Sequence, residues 1–478
     1  MTHDNTEATR DRSRGRRRAR ISKYPTLSTL PNSAVIESVP VSSLRAYKRR
    51  LRKHDSTQIE HMKESLQAFG QVLPILIDDD GEIIDGHLLY NTLVALGYAH
   101  VLVIRLSHLT GDQVRKLRLS LNKIAEGAKW DVDELRLEVG ELCVISTDEE
   151  FSIPGFEVAE LDLLLSPDTK HRQVDEDDQI PAHDQSRRTI SREGDIWLLG
   201  PHRLLCGDAL DTTCFETLMR GEVAALVQSD LPYNVPITGH VSGLGKAKHQ
   251  DFAMAAGEMS PAEFTSFLEA TVSDATRHLQ PGAILQLFMD WRHMSELLTA
   301  AEACGLEFIN LCVWVKDNGG MGSLYRSRHE LVFIFRKPGA SHRNNVQLGR
   351  FGRYRTNVWE YPGMNSMQEG RDELLALHPT VKPVALIADA ICDSTKRGDV
   401  VLDPFAGSGT TFIAASRTGR RACGIEIDPI YCDVAVERWE RATGGTARHE
   451  TTGLTRNELA GQRRRTRNRT RKRKETSA

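Results

Sequence analysis

Two short segments hold side chains whose types and spacing could do chemistry. The first, Ser229-Asp-Leu-Pro-Tyr-Asn234, closes an apolar run over 223–229 that reads as a strand. An aromatic amine is a poor nucleophile because its lone pair is delocalised into the ring. A carboxylate accepting one of its N–H groups, with a backbone carbonyl accepting the other, favours a pyramidal nitrogen and exposes that lone pair. Asp230 is the carboxylate for this task, and the carbonyl of Leu231 or Pro232 is the second acceptor. Pro232 has a fixed φ and no N–H, which stiffens the turn, and Tyr233 offers a face on which a planar ring can stack. An ordinary strand-to-loop exit uses the same residue types, and the segment alone leaves both readings open.

The second segment, Val400-Val-Leu-Asp-Pro-Phe-Ala-Gly-Ser-Gly-Thr-Thr411, begins as a buried strand and ends as a helix start. Gly407 and Gly409 let the backbone approach a ligand closely where the first N–H groups of the helix point outward. After that helix, Ala422-Cys-Gly-Ile-Glu-Ile-Asp-Pro429 reads as a further strand ending in acids, with Glu426 standing 17 residues beyond Gly409. A carboxylate about 20 residues past a Gly-rich turn can accept both hydroxyls of a ribose. No Gly-Lys-Ser/Thr follows, so the turn is not a phosphate-binding P-loop. A tight structural turn in some other α/β protein is the plain alternative.

Together the two segments resemble the β class of S-adenosylmethionine-dependent DNA amino-methyltransferases, in which the catalytic tetrapeptide precedes the cofactor motif. His378-Pro-Thr-Val-Lys-Pro383 resembles an additional cofactor motif of that class, and Gly207-Asp208 resembles the motif just upstream of catalysis. The resemblance spans about 194–445, four motifs in the class's order. It implies a Rossmann-like methyltransferase fold, a doubly wound and mostly parallel α/β sheet, with S-adenosylmethionine as cofactor. Asp230, Pro232 and Tyr233 are then the catalytic residues. Asp403, Phe405, Gly407 and Gly409 shape the cofactor site, Glu426 holds its ribose, Asp208 its adenine amine, and Thr380 and Lys382 lie near its methionine end. An Asp heading the catalytic motif favours adenine N6, whereas Ser is commoner in cytosine-N4 enzymes. Leu231 stands where the family has a first proline; the hydrogen-bonding groups survive, and activity is expected to survive with them. Methylation of cytosine N4, of RNA or protein, or a noncatalytic DNA-binding regulator on the same fold remain open. Residues 337–377 fall where the class reads its target, so Arg350, Arg353, Arg355 and Asn357 are candidate DNA contacts, as are Tyr325 and Arg326. Arg can read guanine edges and Asn adenine edges. Residues 238–258 read as a mobile loop beside the active site. The resemblance also implies double-stranded DNA as partner, admits a homodimer, and suggests a restriction-modification setting.

The elements that must position these groups are legible as periodicity. Apolar runs at 223–229, 283–289, 309–315, 331–335, 400–402 and 422–425 alternate with helical stretches at 260–278, 293–304, 383–393 and 409–418. Such alternation predicts a mostly parallel sheet covered on both faces. A smaller α/β unit precedes it, with a helix capped by Ser56 or Thr57, a strand from Val72 to Ile77 and a return strand from Glu82 to Ile84. Residues 33–125 resemble the N-terminal domain of ParB-like chromosome-partition proteins through Phe69-Gly-Gln-Val-Leu-Pro-Ile75 and Gly81-Glu-Ile-Ile-Asp-Gly-His87. Nucleotide-binding relatives present Gly-x-Arg-Arg at the loop, where guanidinium groups grip phosphates. Gly86-His-Leu-Leu89 lacks both arginines, so nucleotide hydrolysis is not expected; DNA tethering, protein docking and a purely structural role stay open.

The 478 residues exceed one ordinary core, and six segments are expected: a basic disordered tail 1–32, the ParB-like domain 33–125, a helical extension 126–165, a linker 166–190, the methyltransferase domain 191–447 and a basic disordered tail 448–478. The net charge of −3 conceals an asymmetry: residues 10–23 carry eight Arg/Lys against one acid, and residues 463–474 carry nine against none. Such ends suit a polyanion, since neutralising phosphates releases counterions. No apolar window can span a bilayer and no secretory signal is seen, so a cytoplasmic location is expected. The eight cysteines form no CxxC pair, so neither a metal site nor a disulfide framework is expected.

Overall fold

The computed structural model describes residues 35–49, 51–146, 151–166, 176–179, 189–234, 257–317, 319, 324–350, 353–363 and 381–475, with side chains to 465. It divides into two compact units, 1–130 and 131–478.

In the first unit, β1 (Ile36–Pro40), α1 (Ser56–Phe69), β2 (Ile75–Ile77), β3 (Ile83–Asp85), α2 (His87–Ala95), β4 (His100–Arg105) and α3 (Gly111–Ala125) follow one another, and the sheet order is β1-β4-β2-β3. Ile75, Ile77, Ile83, Leu93 and Val103 form its core. The cap of α1 is Asp55 rather than Ser56 or Thr57: its carboxylate accepts from Gln58 N at 2.8 Å. The predicted strand from Val72 shortens to Ile75–Ile77, leaving Val72 and Leu73 exposed. Arg118 of α3 is buried on the carbonyls of Ile83 and Ile84, 3.5 Å from the Tyr47 ring centroid.

The second unit begins with α4 (Val132–Ile145) and α5 (Val158–Leu165), so the expected helical extension belongs with the larger fold. Asp162 of α5 accepts both terminal guanidinium nitrogens of Arg420 at 2.7 Å in a fully buried pair. The expected linker is also partly docked: Asp178 accepts from Val384 N at 2.7 Å, and Arg438 donates to the Asp177 carbonyl.

The sheet is built from β5 (Ile196–Leu199), β6 (His202–Cys206), β7 (Ala224–Asp230), β8 (Leu279–Met289), β9 (Glu307–Val315), β10 (His329–Arg336), β11 (Val358–Glu360), β12 (Val400–Asp403), β13 (Arg421–Glu426) and β14 (Arg448–His449). Its order is β11-β9-β10-β8-β7-β12-β13-β6-β5-β14. The central run β8, β7, β12, β13 and β6 is parallel throughout, as the alternating pattern predicts. Helices α6 (Thr212–Met219), α7 (Pro261–Arg277), α8 (Met294–Ala303), α9 (Val384–Ser394), α10 (Thr410–Thr418) and α11 (Pro429–Thr443) complete it. Cores containing Phe264, Leu285 and Phe333, and Leu226, Ile387 and Ile413, hold these layers together.

Ligands of such sheets sit outside the carboxyl ends of the parallel strands. Asp230, Asp403, Glu426 and Gly207 all lie at that edge, at or just past the ends of β7, β12, β13 and β6. Strand β10 runs antiparallel to β8, so it brings its beginning, Glu330, to the same edge.

The expected disordered tail from 448 is a correction. Residues 448–449 pair with β5, and α12 (Arg456–Glu475) follows. Leu459 packs into a core with Trp197 and Trp439, and Arg463 pairs with Asp195 at 2.6 Å, which ties the root of this helix down.

Candidate active site

The turn after β12 is held by two buried carboxylates, Asp403 and Glu426. Asp403, buried at the strand end, accepts from Ser229 Oγ at 2.8 Å and Phe405 N at 3.2 Å through Oδ1, and from Thr411 Oγ through Oδ2. Burial pushes this carboxyl up to about 6 despite those donors. Glu426 accepts from Gly407 N and Asp428 N, both at 2.8 Å, and burial pushes it up to about 7. Gly407 has φ +51° and no atom within 4 Å of the position where a Cβ would stand, so the turn opens onto free space. Gly409 has φ +83°, and a Cβ there would stand 2.8 Å from the Ala435 methyl; only glycine lets α10 start this close to α11. Phe405 lies 6.1 Å from the Phe267 ring, and Asp208 accepts from Leu210 N at 2.9 Å in the neighbouring turn after β6. A buried carboxylate with lone pairs to spare, beside an open glycine turn, fits the ribose and main body of S-adenosylmethionine.

One strand away, Asp230 heads a second cluster. Its Oδ1 accepts from the Tyr233 hydroxyl at 2.7 Å, and its Oδ2 accepts from Lys382 Nζ. Burial raises the Asp230 carboxyl, against the pull of Lys382. Leu231, where the resembled class has a proline, is buried in the same core as Phe264 and Leu287, so packing restrains the turn where a pyrrolidine ring would otherwise do so. The side chain of Asn234, itself at φ +50°, accepts from Gly257 N and Met259 N and donates to Met259 O at 2.8 Å. It thereby clasps the chain on both sides of 235–256. The loop expected over 238–258 lies outside the described residues except at 257–258, as does Thr380.

Lys382 directs its ammonium to the Asp230 carboxylate and to Glu330 (Oε2 at 3.1 Å), and its carbonyl accepts from Thr410 Oγ at 3.4 Å at the start of α10. Glu330 and its second partner, Lys316, were not legible as site residues. The signal was there only in part: Glu330 is the one acid leading into the apolar run 331–335, and nothing in the sequence tells that β10 starts at the functional edge.

The candidate DNA contacts separate into two groups. Arg353 and Arg355 are corrections. Arg353 is buried and donates to Asp393 Oδ1 at 2.7 Å, and Arg355 donates to Asp393 Oδ2 at 2.9 Å and lies 3.6 Å from Asp389. Their guanidinium groups hold the 353–361 segment onto α9 instead of facing a partner. Asn357 is exposed but donates to the Leu311 carbonyl at 3.2 Å. Tyr325, Arg326 and Arg350 are exposed, and Arg326 donates to the Gly319 carbonyl. Among the described residues, no group of three or more His, Cys, Asp or Glu side chains is gathered to hold a metal ion, and no helix is long and apolar enough to cross a membrane.

Residues 224–437 match a family model described as DNA methylase, of the N6/N4 kind. The Type II methyltransferase M.HpaI of Haemophilus parainfluenzae is 26% identical over 257 residues, covering 51% of this chain and 76% of that protein. A crystal structure of a candidate DNA modification methylase from Thermus thermophilus, complexed with S-adenosyl-L-methionine, is 25% identical with a TM-score of 0.35; the match covers 53% of this chain and 96% of that one. The chromosome-partitioning protein ParB of Caulobacter crescentus, complexed with CTP-γ-S, is 18% identical with a TM-score of 0.24, over 28% of this chain and 81% of that one.

Proposed function

We propose, taking as premise that residues 224–437 are an N6/N4 DNA methylase domain, that this chain transfers a methyl group from S-adenosylmethionine to N6 of adenine in double-stranded DNA. The observation that carries the reading is the link between the two clusters. Ser229, immediately before the Asp230 carboxylate, donates to Asp403 at the head of the glycine turn, across adjacent parallel strands. One contact therefore sets the catalytic carboxylate relative to the cofactor turn.

S-adenosylmethionine supplies the electrophilic methyl group. The chain supplies position and charge. Asp230 accepts one N–H of the amine, the carbonyl of Leu231 or Pro232 accepts the other, and Tyr233 offers its ring face to the base. An adenine inside a duplex cannot reach such a pocket, so the base must leave the stack. As the amine nitrogen bonds the methyl group, the S–CH3 bond breaks, its electron pair staying on sulfur as a neutral thioether. The Asp230 carboxylate stabilises the positive nitrogen until its surplus proton passes to solvent, and fixed geometry replaces the entropy of encounter. The preference for adenine rests on Asp at position 230.

Incubation with methyl-labelled S-adenosylmethionine and mixed-sequence duplex DNA, followed by nucleoside analysis, is expected to place label in N6-methyladenine. Label in N4-methylcytosine moves the enzyme to the cytosine subclass, and DNA retention without label supports the noncatalytic reading. Asp230→Ala is expected to lower turnover by about a thousandfold, since it removes the group that orients and stabilises the amine.

The basic stretch 463–474 on α12 supports a phosphate-binding role. Replacing four of its cations between 467 and 473 by Ser should lower the slope of log affinity against log salt by about 0.9 per charge, read by fluorescence anisotropy with duplex DNA.

A further inference from the structure

The pocket around Asp230 holds more charge than amine activation calls for. Lys382 lies among the rings of Phe288, Tyr233 and Trp314, at 5.1, 5.6 and 6.0 Å from their centroids, and its ammonium touches two carboxylates, Asp230 and Glu330. Glu330 takes a second ammonium from Lys316 on its other oxygen. The single proton of the Tyr233 hydroxyl faces both acids, at 2.7 Å from Asp230 and 3.1 Å from Glu330, and the shorter contact is to Asp230. The two acids are thus unequally served.

We infer that Glu330 and Lys382 are positioning residues for methyl transfer: Lys382 fixes the Asp230 carboxylate, and Glu330 shares that ammonium so that Asp230 keeps enough negative charge to attract the amine. This rests on the reading of the site as an amine methyltransferase. An anion beside the nitrogen lowers the barrier only while it is not fully neutralised by its own partner. A lysine paired to Asp230 alone would hold the carboxylate in place and cancel its field together. Glu330, on the far side of the ammonium, separates these effects. Burial opposes ionisation of Glu330, but Lys382 and Lys316 outweigh it and hold the group down at about 2, so it stays an anion through the working range. The groups facing Asp230 are Lys382, Glu330, Tyr233 and, across on β12, Asp403. Lys316 stands behind Glu330.

The test compares native enzyme with Glu330→Gln and Lys382→Gln, reading affinity for S-adenosylmethionine by calorimetry, KM for DNA, and kcat from pH 5 to 9. Both variants are expected to bind S-adenosylmethionine within about threefold of native, with kcat lower by about tenfold for Glu330→Gln and a hundredfold for Lys382→Gln. The acid limb of the kcat profile reports Asp230. Losing the Glu330 anion favours ionised Asp230 and should move that limb to lower pH; losing the Lys382 cation should move it to higher pH. Lys382→Arg, which keeps the charge, should return the limb toward its native position. Opposite displacements are not produced by a merely structural role. Limbs that do not move, or move together, overturn the inference. So does a loss of S-adenosylmethionine affinity in Lys382→Gln with kcat unchanged at saturation, which would put the ammonium on the cofactor. Should Lys382→Gln fail to fold, Glu330→Gln carries the test alone: a limb moved to lower pH with S-adenosylmethionine affinity kept supports the inference, and a limb that stays or moves to higher pH overturns it. If native enzyme transfers no methyl group, the proposed function fails by itself. Carbon-13 NMR of Asp230, assigned with Asp230→Asn, then reads the same opposite shifts.

Discussion

Four carboxylates crowd one edge of the sheet, and they are held in two different ways. Asp230 and Glu330, on the side proposed to be catalytic, share Lys382, and Glu330 also has Lys316. Asp403 and Glu426, on the cofactor side, are held by hydroxyls and backbone N–H groups; their hydrogen bonds include no cation. Burial raises Asp403 to about 6 and Glu426 to about 7, and it raises Asp230 as well against the pull of Lys382; only Glu330, which has two lysines, is held down, at about 2. The difference teaches which side is complete before anything binds. The catalytic charges balance among themselves and define a geometry. The acids on the glycine-turn side have donors but no cation, and a ligand bringing hydroxyls and a sulfonium would add both donors and positive charge.

The sharpest way to break this comparison is to remove the shared cation. Lys382→Met leaves two acids facing each other in a pocket that water reaches poorly, and the fold is expected to lose about 3 kcal/mol at pH 8 in urea unfolding. Asp403→Asn, on the other side, removes a charge that has no cationic partner and keeps the acceptor that Ser229 needs. Its stability at pH 8 should stay within about 1 kcal/mol of native. Comparable losses in both variants would show that the two sides are held alike.

Next in size is the pH dependence of cofactor binding. Ribose hydroxyls donate to ionised Glu426, so affinity for S-adenosylmethionine should rise with pH through about 7 and then level off. At pH 6 it should be about tenfold weaker than the plateau, the factor expected one unit below the midpoint. Stability runs the other way. A carboxyl raised above its unfolded value of about 4.3 favours the fold fully below that value, and the contribution is lost as pH rises through about 7. Glu426→Gln should flatten both curves, as measured by calorimetry and thermal unfolding from pH 5 to 8.5.

How these acids would divide was only partly legible in the sequence. The cofactor side is local: Asp403, Gly407, Gly409 and Glu426 lie on one strand–turn–helix–strand stretch, and their spacing alone predicts the turn and its carboxylate. The catalytic side is assembled from strands far apart in the chain. Lys382 stands 152 positions from Asp230, and its destination depends on which strand end α9 follows. Glu330 belongs to a strand whose reversed direction no periodicity reveals. Arg353 and Arg355 were misread for a related reason. They were named for their place in the stretch where the resembled class reads its target, but Asp389 and Asp393, one turn apart on α9, form a pair of acids that only the tertiary fold brings to them.

The smallest expected effect tests whether the cofactor side is open in the direction proposed. Gly407 is in the left-handed region at φ +51°, where any other residue is strained, yet no atom lies within 4 Å of an added Cβ. Gly407→Ala should therefore cost about 1 kcal/mol in stability, from backbone strain with no clash. Its N–H, which donates to Glu426 at 2.8 Å, should stay in place. The new methyl group would project into the space where the cofactor body is proposed to lie, so affinity for S-adenosylmethionine should fall by several-fold more than the stability change explains. A variant that loses the stability and keeps full affinity would mean that the ligand approaches this turn from another side. Asp403 and Glu426 would then be structural acids, and their contrast with Asp230 and Glu330 would lose its functional meaning.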